Sequence, residues 1–283
     1  MSATRVVTDS MMGLRMPDTA VWSPRVTVVL GQNPGMFTGP GTNTYLVGTG
    51  ARRLLLDTGQ GVDAYGPLLA AAAPGGLEAI VLTHDHPDHI GGVAQVQGIF
   101  GRQRVLKMDL PERGAGDLDL VALADGDVVE TEGARLRALW TPGHARDHLC
   151  FFLEEERALF TGDVVLGAGT TVIPDDGDLG DYLASLERLL ALDAVVIYPA
   201  HGPAIHDPRA KITQYLEHRM LRERQILDGL AAGLAGVADL VARIYVDVPQ
   251  ALHFAAGASV RAHLRKLERD GAVARDGERW RLR

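Results

Sequence analysis

Residues 81–89 read Val-Leu-Thr-His-Asp-His-Pro-Asp-His, and this stretch limits what the chain can fold into more than any other. His84, His86, Asp88 and His89 place four metal-binding side chains in six residues, directly after the apolar run Leu77-Glu-Ala-Ile-Val-Leu82. An apolar run of that length, rich in β-branched residues, reads as a buried strand. The cluster then sits where a strand meets a loop. His84 and His86, one residue apart, can both face one ion from a loop. Asp88 and His89 follow within a turn, at the start of a helix, and reach a second ion beside it. Zinc favours such imidazole and carboxylate donors. The plain alternative is a polar loop that holds no ion.

Three later stretches repeat the form of an apolar strand followed by a turn with one metal-type residue. They are Trp140-Thr-Pro-Gly-His144, Leu159-Phe-Thr-Gly-Asp163 and Ile197-Tyr-Pro-Ala-His201. Glycine or proline flanks each, so each reads as a strand end. Strand ends along one edge of a sandwich converge, so the 84–89 cluster supplies about half of a two-ion site and these three supply the rest. The single cysteine, Cys150, excludes an intrachain disulfide and a Cys-based zinc finger.

Around the cluster the chain alternates between strand and helix signals. Strands are predicted at 25–31, 44–50, 52–59, 77–84, 104–108, 127–131, 134–140, 148–155, 157–163 and 194–202, with helices at 62–73, 90–100 and 180–192. Two sheets packed face to face with helices outside, an αββα sandwich of the α/β class, is the expected architecture. From Asp207 the character changes. A helix is predicted at 208–232 with Ile212, Leu216, Met220, Leu227 and Leu230 on one side, then helices at 237–246 and 259–271, with Ser259 as N-cap and Gly271 as the stop. Two short strands joined by Asp276-Gly-Glu278 close the outline of a winged helix. The expected domains are a catalytic one at 1–207 and a helical linker with a winged-helix-like module at 208–283. Charge supports the division. The net is −8, yet residues 209–283 carry 14 basic against 9 acidic groups and the rest 14 against 27.

The order His-x-His-x-Asp-His, then lone His, Asp and His, resembles the metallo-β-lactamase fold superfamily. The resemblance implies His84, His86 and His144 as ligands of the first ion, and Asp88, His89 and His201 as ligands of the second. It implies Asp163 as a bridge between them, with Asp88 and Asp163 orienting a shared hydroxide for hydrolysis. Two Zn2+ ions are expected, with Mn2+ or Fe accommodated by the mixed donor set. The stretches "NPGMFTGPGTNTYLVGTG", "LLLDTG", "TPGHARDH" and "YPAHGPAIHDPRAKITQYLEHRMLRERQIL" are similar to the beta-lactamase-like protein 2 family. Animal members of that family are endoribonucleases on single-stranded RNA, and fungal polyketide thioesterases are also similar. The resemblance therefore implies an endoribonuclease first and an acyl or polyketide thioesterase second; a nucleic-acid-binding regulator with an idle hydrolase core is the alternative from another class. A true β-lactamase is disfavoured, because those zinc enzymes commonly carry cysteine where Asp163 stands. A glyoxalase-like thioesterase is disfavoured by the winged-helix tail.

Arg261, Arg265 and Arg269 recur every four residues opposite Val260, Leu264 and Leu267. This stripe is the candidate contact for RNA phosphates, the alternative being a solvated face paired with a residue such as Glu268. Against RNA stand the negative net charge and an aromatic content of only 5%, since single strands stack on aromatic rings. The loop at 33–43, with Met36 and Phe37, is where an acyl group would be read. Asn43 and Thr44 read as turn residues, with a substrate-facing role as the alternative. His148 is expected to support the site rather than ligate. His206 reads as a cap or packing residue, with proton donation as the alternative. His218, His253 and His263 read as ordinary helical residues. Met1 to Asp18 lacks the apolar region of a secretory signal and no stretch is long enough to span a membrane, so a cytoplasmic protein is expected.

Overall fold

The computed structural model describes residues 6–8, 13–110 and 119–283, so the reading of the N-terminus as leaderless lies partly outside the described residues. A short antiparallel pair, β1 (Val6–Thr8) and β2 (Arg15–Pro17), precedes the main sheets. The first sheet has seven strands in chain order: β3 (Thr19–Ser23), β4 (Val26–Leu30), β5 (Asn43–Val47), β6 (Arg53–Leu56), β7 (Leu77–Val81), β8 (Val105–Lys107) and β9 (Leu120–Ala122). It is antiparallel from β3 to β6 and parallel from β6 to β9. Three helices serve the parallel crossovers: α1 (Tyr65–Ala72), α2 (Pro87–Ile90) and α3 (Val93–Phe100). The second sheet runs β10 (Val128–Thr131), β11 (Ala134–Trp140), β12 (Leu149–Leu153), β13 (Ala158–Gly162) and β14 (Val196–Pro199). Its last pair, β13 with β14, is parallel.

Strand periodicity explains the layering. Val26, Val28, Tyr45, Val47, Leu54 and Leu56 alternate toward the second sheet, and Leu136, Ala138, Leu149, Phe151 and Phe160 meet them in one core. The intervening residues Val29, Leu46, Leu55 and Ile80 face the other way, onto Tyr65 and Leu69 of α1 and Val93 and Val96 of α3. The central strands are buried on both faces, which is why they read as continuous apolar runs. Each such side chain contributes roughly 1.5–3 kcal/mol by leaving water.

By internal contacts the chain forms two compact units. The first takes in the described residues of 1–140, 147–169 and 193–208. The second comprises 141–146, 170–192 and 209–283, and so includes α4 (Leu179–Leu190) as well as the C-terminal residues. Within it α5 (Pro208–Ala231), α6 (Val237–Ile244), α7 (His253–Arg269), β15 (Val273–Asp276) and β16 (Arg279–Leu282) follow in order. Ile226, Leu240, Ile244, Val260, Leu264, Val273 and Trp280 make its core.

Two local expectations are corrected. Ser259 does not cap a helix: α7 begins six residues earlier, after a 3-10 turn at Gln250–Leu252, and Ser259 is buried inside it. Gly257 lies within α7 and is buried there. On α5, Met220 is 56% exposed and Arg219, at 3%, takes the inward place. Its guanidinium donates to the Thr171 carbonyl and lies over the Tyr182 ring, which makes a cation tolerable there. β9 and the pairs before β4 are short or half-exposed and give weak sequence signals. Among the described residues no helix is long and apolar enough to cross a membrane.

Candidate metal centre

β7 ends at Val81, and the chain leaves it through Thr83 and His84 into α2, where Pro87 starts the helix without losing a needed N–H. On the second sheet β13 and β14 run parallel, with Gly162 opposite Pro199, so Asp163 and His201 emerge side by side. The two sheets are tied at this edge by the Leu149 N–H donating to the Thr83 carbonyl at 2.8 Å. The donor atoms of His84, His86, His144 and Asp163 all lie within 4.8 Å of one another, and so do those of Asp88, His89 and His201. The seven residues named as candidate ligands are thus brought into these two groups, with Asp163 in the first.

The histidines are aimed by what their other nitrogen touches, as metal-binding imidazoles usually are. His89 Nδ1 lies 2.8 Å from Asp57 Oδ2, His144 Nδ1 2.8 Å from the Val172 carbonyl, and His84 Nδ1 3.0 Å from Thr83 Oγ1. His201 Nε2 lies 3.2 Å from Asp163 Oδ1 and 3.3 Å from Asp88 Oδ2. The Nε2 of fully buried His89 makes no hydrogen bond and stands 3.5 Å from each of the same carboxylates. A buried imidazole nitrogen facing two carboxylates fits a divalent cation, so the residues present suit a dinuclear site.

Electrostatics agree. Burial opposes charge on both carboxylates, yet His89 and His201 beside them hold Asp88 and Asp163 well below the usual carboxylate range. Burial also opposes the charged form of His201, but Asp163 and Asp88 raise it from 6.5 to about 9. His89 is likewise raised, by Asp57, Asp88 and Asp163 against burial. Without an ion, protons on these imidazoles neutralise the carboxylates. Two outcomes follow. Cation uptake at pH 7–8 releases protons, so affinity rises with pH up to about 9. In metal-free protein the stabilisation from protonated His201 is complete below its unfolded value near 6.5 and fades as pH climbs through about 9. Calorimetric titration in buffers of different ionisation enthalpy reads the first. Denaturant unfolding of metal-free protein from pH 6 to 10 reads the second.

Other buried residues support these side chains, and one of them, Asp57, was not assigned from sequence. Asp57, with φ +58, follows β6 and accepts from the Thr83 amide and hydroxyl besides bonding His89. Its signal is an acid directly after three apolar residues and before Thr-Gly in "LLLDTG". His148 is fully buried, and its Nε2 accepts the Asp163 amide at 3.1 Å, the supporting part expected of it. Gly162 is required beside it: at φ +47 a Cβ would stand 2.5 Å from that nitrogen. Asn43 does not face a substrate. It is fully buried in β5 and donates to the Pro199 and Gly202 carbonyls, fixing the turn that carries His201. Thr44 is buried as well, bonded to the Val29 carbonyl and the Tyr65 hydroxyl. His206 is exposed.

The loop at 33–42 closes on itself through Gly35 and Gly39 and pairs with the site at Thr42 opposite His201. At its tip Met36 is 42% and Phe37 53% exposed. The arginine stripe is engaged: Arg261 and Arg265 bond Asp175, and Arg269 bonds Asp178, rather than Glu268.

Residues 37–201 match the family model of the Metallo-beta-lactamase superfamily, and residues 237–280 that of the Beta-lactamase associated winged helix domain. The chain is 42% identical over 261 residues to the beta-lactamase-like protein 2 homolog of Caenorhabditis elegans, spanning 89% of this chain and 86% of that protein. It is 41% identical over 257 residues to an atrochrysone carboxyl ACP thioesterase of Aspergillus fumigatus, spanning 83% and 78%. A metallo-beta-lactamase family protein of Thermus thermophilus superposes with a TM-score of 0.77 at 28% identity, over 93% of this chain and all of that one. A beta-lactamase domain protein of Burkholderia ambifaria, 21% identical, shares the fold with a TM-score of 0.81 over 94% and 93%. With most of its length matched by that family's model and by these relatives, and with its His and Asp residues gathered at one edge of a two-sheet sandwich, this chain is a member of the metallo-beta-lactamase superfamily carrying a C-terminal winged helix.

Proposed function

We propose that the chain is a dinuclear metal-dependent hydrolase of acyl thioesters. One observation favours acyl chemistry: the exposed apolar pair Met36 and Phe37 sits on a loop whose base pairs with His201. An apolar surface there would suit an acyl group, and similarity to a carrier-protein thioesterase supports the same substrate class. Two divalent ions, zinc by donor type with manganese or iron as alternatives, would polarise the scissile carbonyl and acidify the attacking water. His84, His86, His144 and Asp163 would hold one, and Asp88, His89 and His201 the other, with Asp163 beside His89 and His201 as well. Asp88 and Asp163, held in the ionised form by the neighbouring imidazoles, would orient the nucleophile. Asp57 would fix the His89 ring, and His148 would fix the backbone that carries Asp163.

A second reading, hydrolysis of single-stranded RNA, is supported by similarity to the beta-lactamase-like protein 2 homolog and by Arg279, Arg281 and Arg283, which are exposed on and after β16. Those side chains, rather than the paired stripe on α7, would meet phosphates. Metal-loaded protein assayed on an acyl-thioester panel and on labelled RNA, with Asp163→Ala as control, separates the two. Thioester turnover lost in the control, with intact RNA, is the expected result. RNA cleavage without thioester turnover overturns it. Replacing Met36 and Phe37 by serine is expected to raise KM for long-chain thioesters about tenfold or more at unchanged metal content, as two side chains of about 1–3 kcal/mol of apolar contact are lost.

A further inference from the structure

We propose that the arginines of α7 are positioning residues for His144, acting through the segment 170–178; this rests on the reading of His144 as a ligand of the first ion. The segment has no helix or strand of its own, so side-chain bonds fix its path. The Val172 carbonyl within it accepts from His144 Nδ1 at 2.8 Å and so sets the direction of the ring. On either side of Val172 the segment is held by cations. Arg219 donates to the Thr171 carbonyl. Arg261 grips the Asp175 carboxylate with two bonds of 2.8 Å. Arg265 donates to Asp175 and to the Pro174 and Gly177 carbonyls at 3.2–3.4 Å. Arg269 takes the Asp178 carboxylate.

The segment also reaches the His144 turn directly. The Asp178 N–H donates to the Gly143 carbonyl at 2.9 Å, and Gly143 has φ +127, where a Cβ would stand 2.4 Å from the Tyr182 backbone. Ser185 of α4 donates to the Pro142 carbonyl at 2.8 Å. His144 is thus placed from its ring and from its backbone by one continuous network.

Half-exposed ion pairs such as Arg261 with Asp175 add little to stability. Their value here is geometric. A guanidinium fork bound to a carboxylate and to carbonyls has few orientations, which a lysine could not impose. The periodicity of the stripe follows: Arg261, Arg265 and Arg269 share one helical face because one segment runs along that face. The opposite face, with Val260, Leu264 and Leu267, is committed to the winged-helix core. The winged helix is in this sense part of the ligand-supporting apparatus.

Cobalt(II) titration of the full-length, metal-free protein, followed by its visible absorption, tests this with no turnover assay. Arg265→Met and Asp175→Ala are each expected to weaken one of two cobalt sites about tenfold, the low end for partners that orient a ligand. The absorption bands of that site change, the other site is unaltered, and the unfolding midpoint holds. His144→Ala is expected to lose the same site altogether. If both variants titrate like the unaltered protein while His144→Ala loses a site, the positioning role is wrong and the ligand reading stands. If His144→Ala retains both sites, the ligand reading fails and the proposal with it. Asp175 is 60% exposed in a loop, so its variant carries the test if Arg265→Met does not fold.

Discussion

Replacing Asp163 by alanine is expected to lower kcat roughly a thousandfold, equivalent to about 4 kcal/mol of transition-state stabilisation, and to reduce bound metal from two equivalents to one or fewer. The Asp163 carboxylate lies 3.2 Å from His201 Nε2 and 3.5 Å from His89 Nε2, and it groups with His84, His86 and His144 among the described residues. The fold should survive, because the Asp163 amide keeps its bond to His148 and removing one of two neighbouring carboxylates relieves repulsion with Asp88. Metal analysis by mass spectrometry, with steady-state turnover of whichever substrate proves active, measures the effect. Unaltered turnover with two ions bound would remove Asp163 from the site.

A different kind of loss is expected at Asp57. It is 2% exposed and joins the Thr83 amide, the Thr83 hydroxyl and His89 Nδ1. Asp57→Ala strips a partner from a buried ionic pair, for which a cost of about 3–5 kcal/mol is typical. It also frees His89 to rotate, which should weaken the second ion 10–100-fold, roughly the usual cost of losing a ligand's hydrogen-bonding partner. Asp57→Asn keeps an acceptor for the Thr83 amide and tolerates φ +58, since asparagine visits the left-handed region readily. The asparagine variant should therefore recover most of the stability and less of the metal affinity. Urea unfolding and metal titration of both variants check this. Equal unfolding midpoints for the alanine variant and the original protein would show that Asp57 is not a structural hub.

What could be read from the sequence was whatever depends on near neighbours. The runs at 79–82, 149–153 and 196–199 announce buried strands because a strand covered on both faces is apolar at successive positions. The 84–89 cluster is local too, and the strand-end form of His144, Asp163 and His201 is visible three times. Long-range partners were not legible. Nothing near Arg261 or Arg265 in the chain points to Asp175, which precedes them by 86 and 90 residues. The stripe consequently reads as free for phosphates when it is occupied. Arg219 was hidden for a related reason: a cation is placed inside only by a carbonyl and a ring, Thr171 and Tyr182, that belong to other elements. Ser259 misled because α7 starts at His253, and the packing that holds its first turns, Ala256 and Val260 against Leu240, Val241 and Ile244 of α6, belongs to another element.

The tie from Leu149 to Thr83 joins β12 of the second sheet to the turn after β7 of the first, at the edge where the histidines gather. It has a consequence for the order in which this protein assembles. A short peptide spanning 84–89 would own four donors yet lack the Asp163 and His201 that emerge from the other sheet. Those donors meet only after the long-range sheet docking that is slowest to nucleate. An ion held there gains affinity from global folding rather than from local chain geometry, so its dissociation rate is a gauge of how often the two sheets part. Chelator-driven loss of metal, followed against denaturant, would then report the integrity of the whole sandwich.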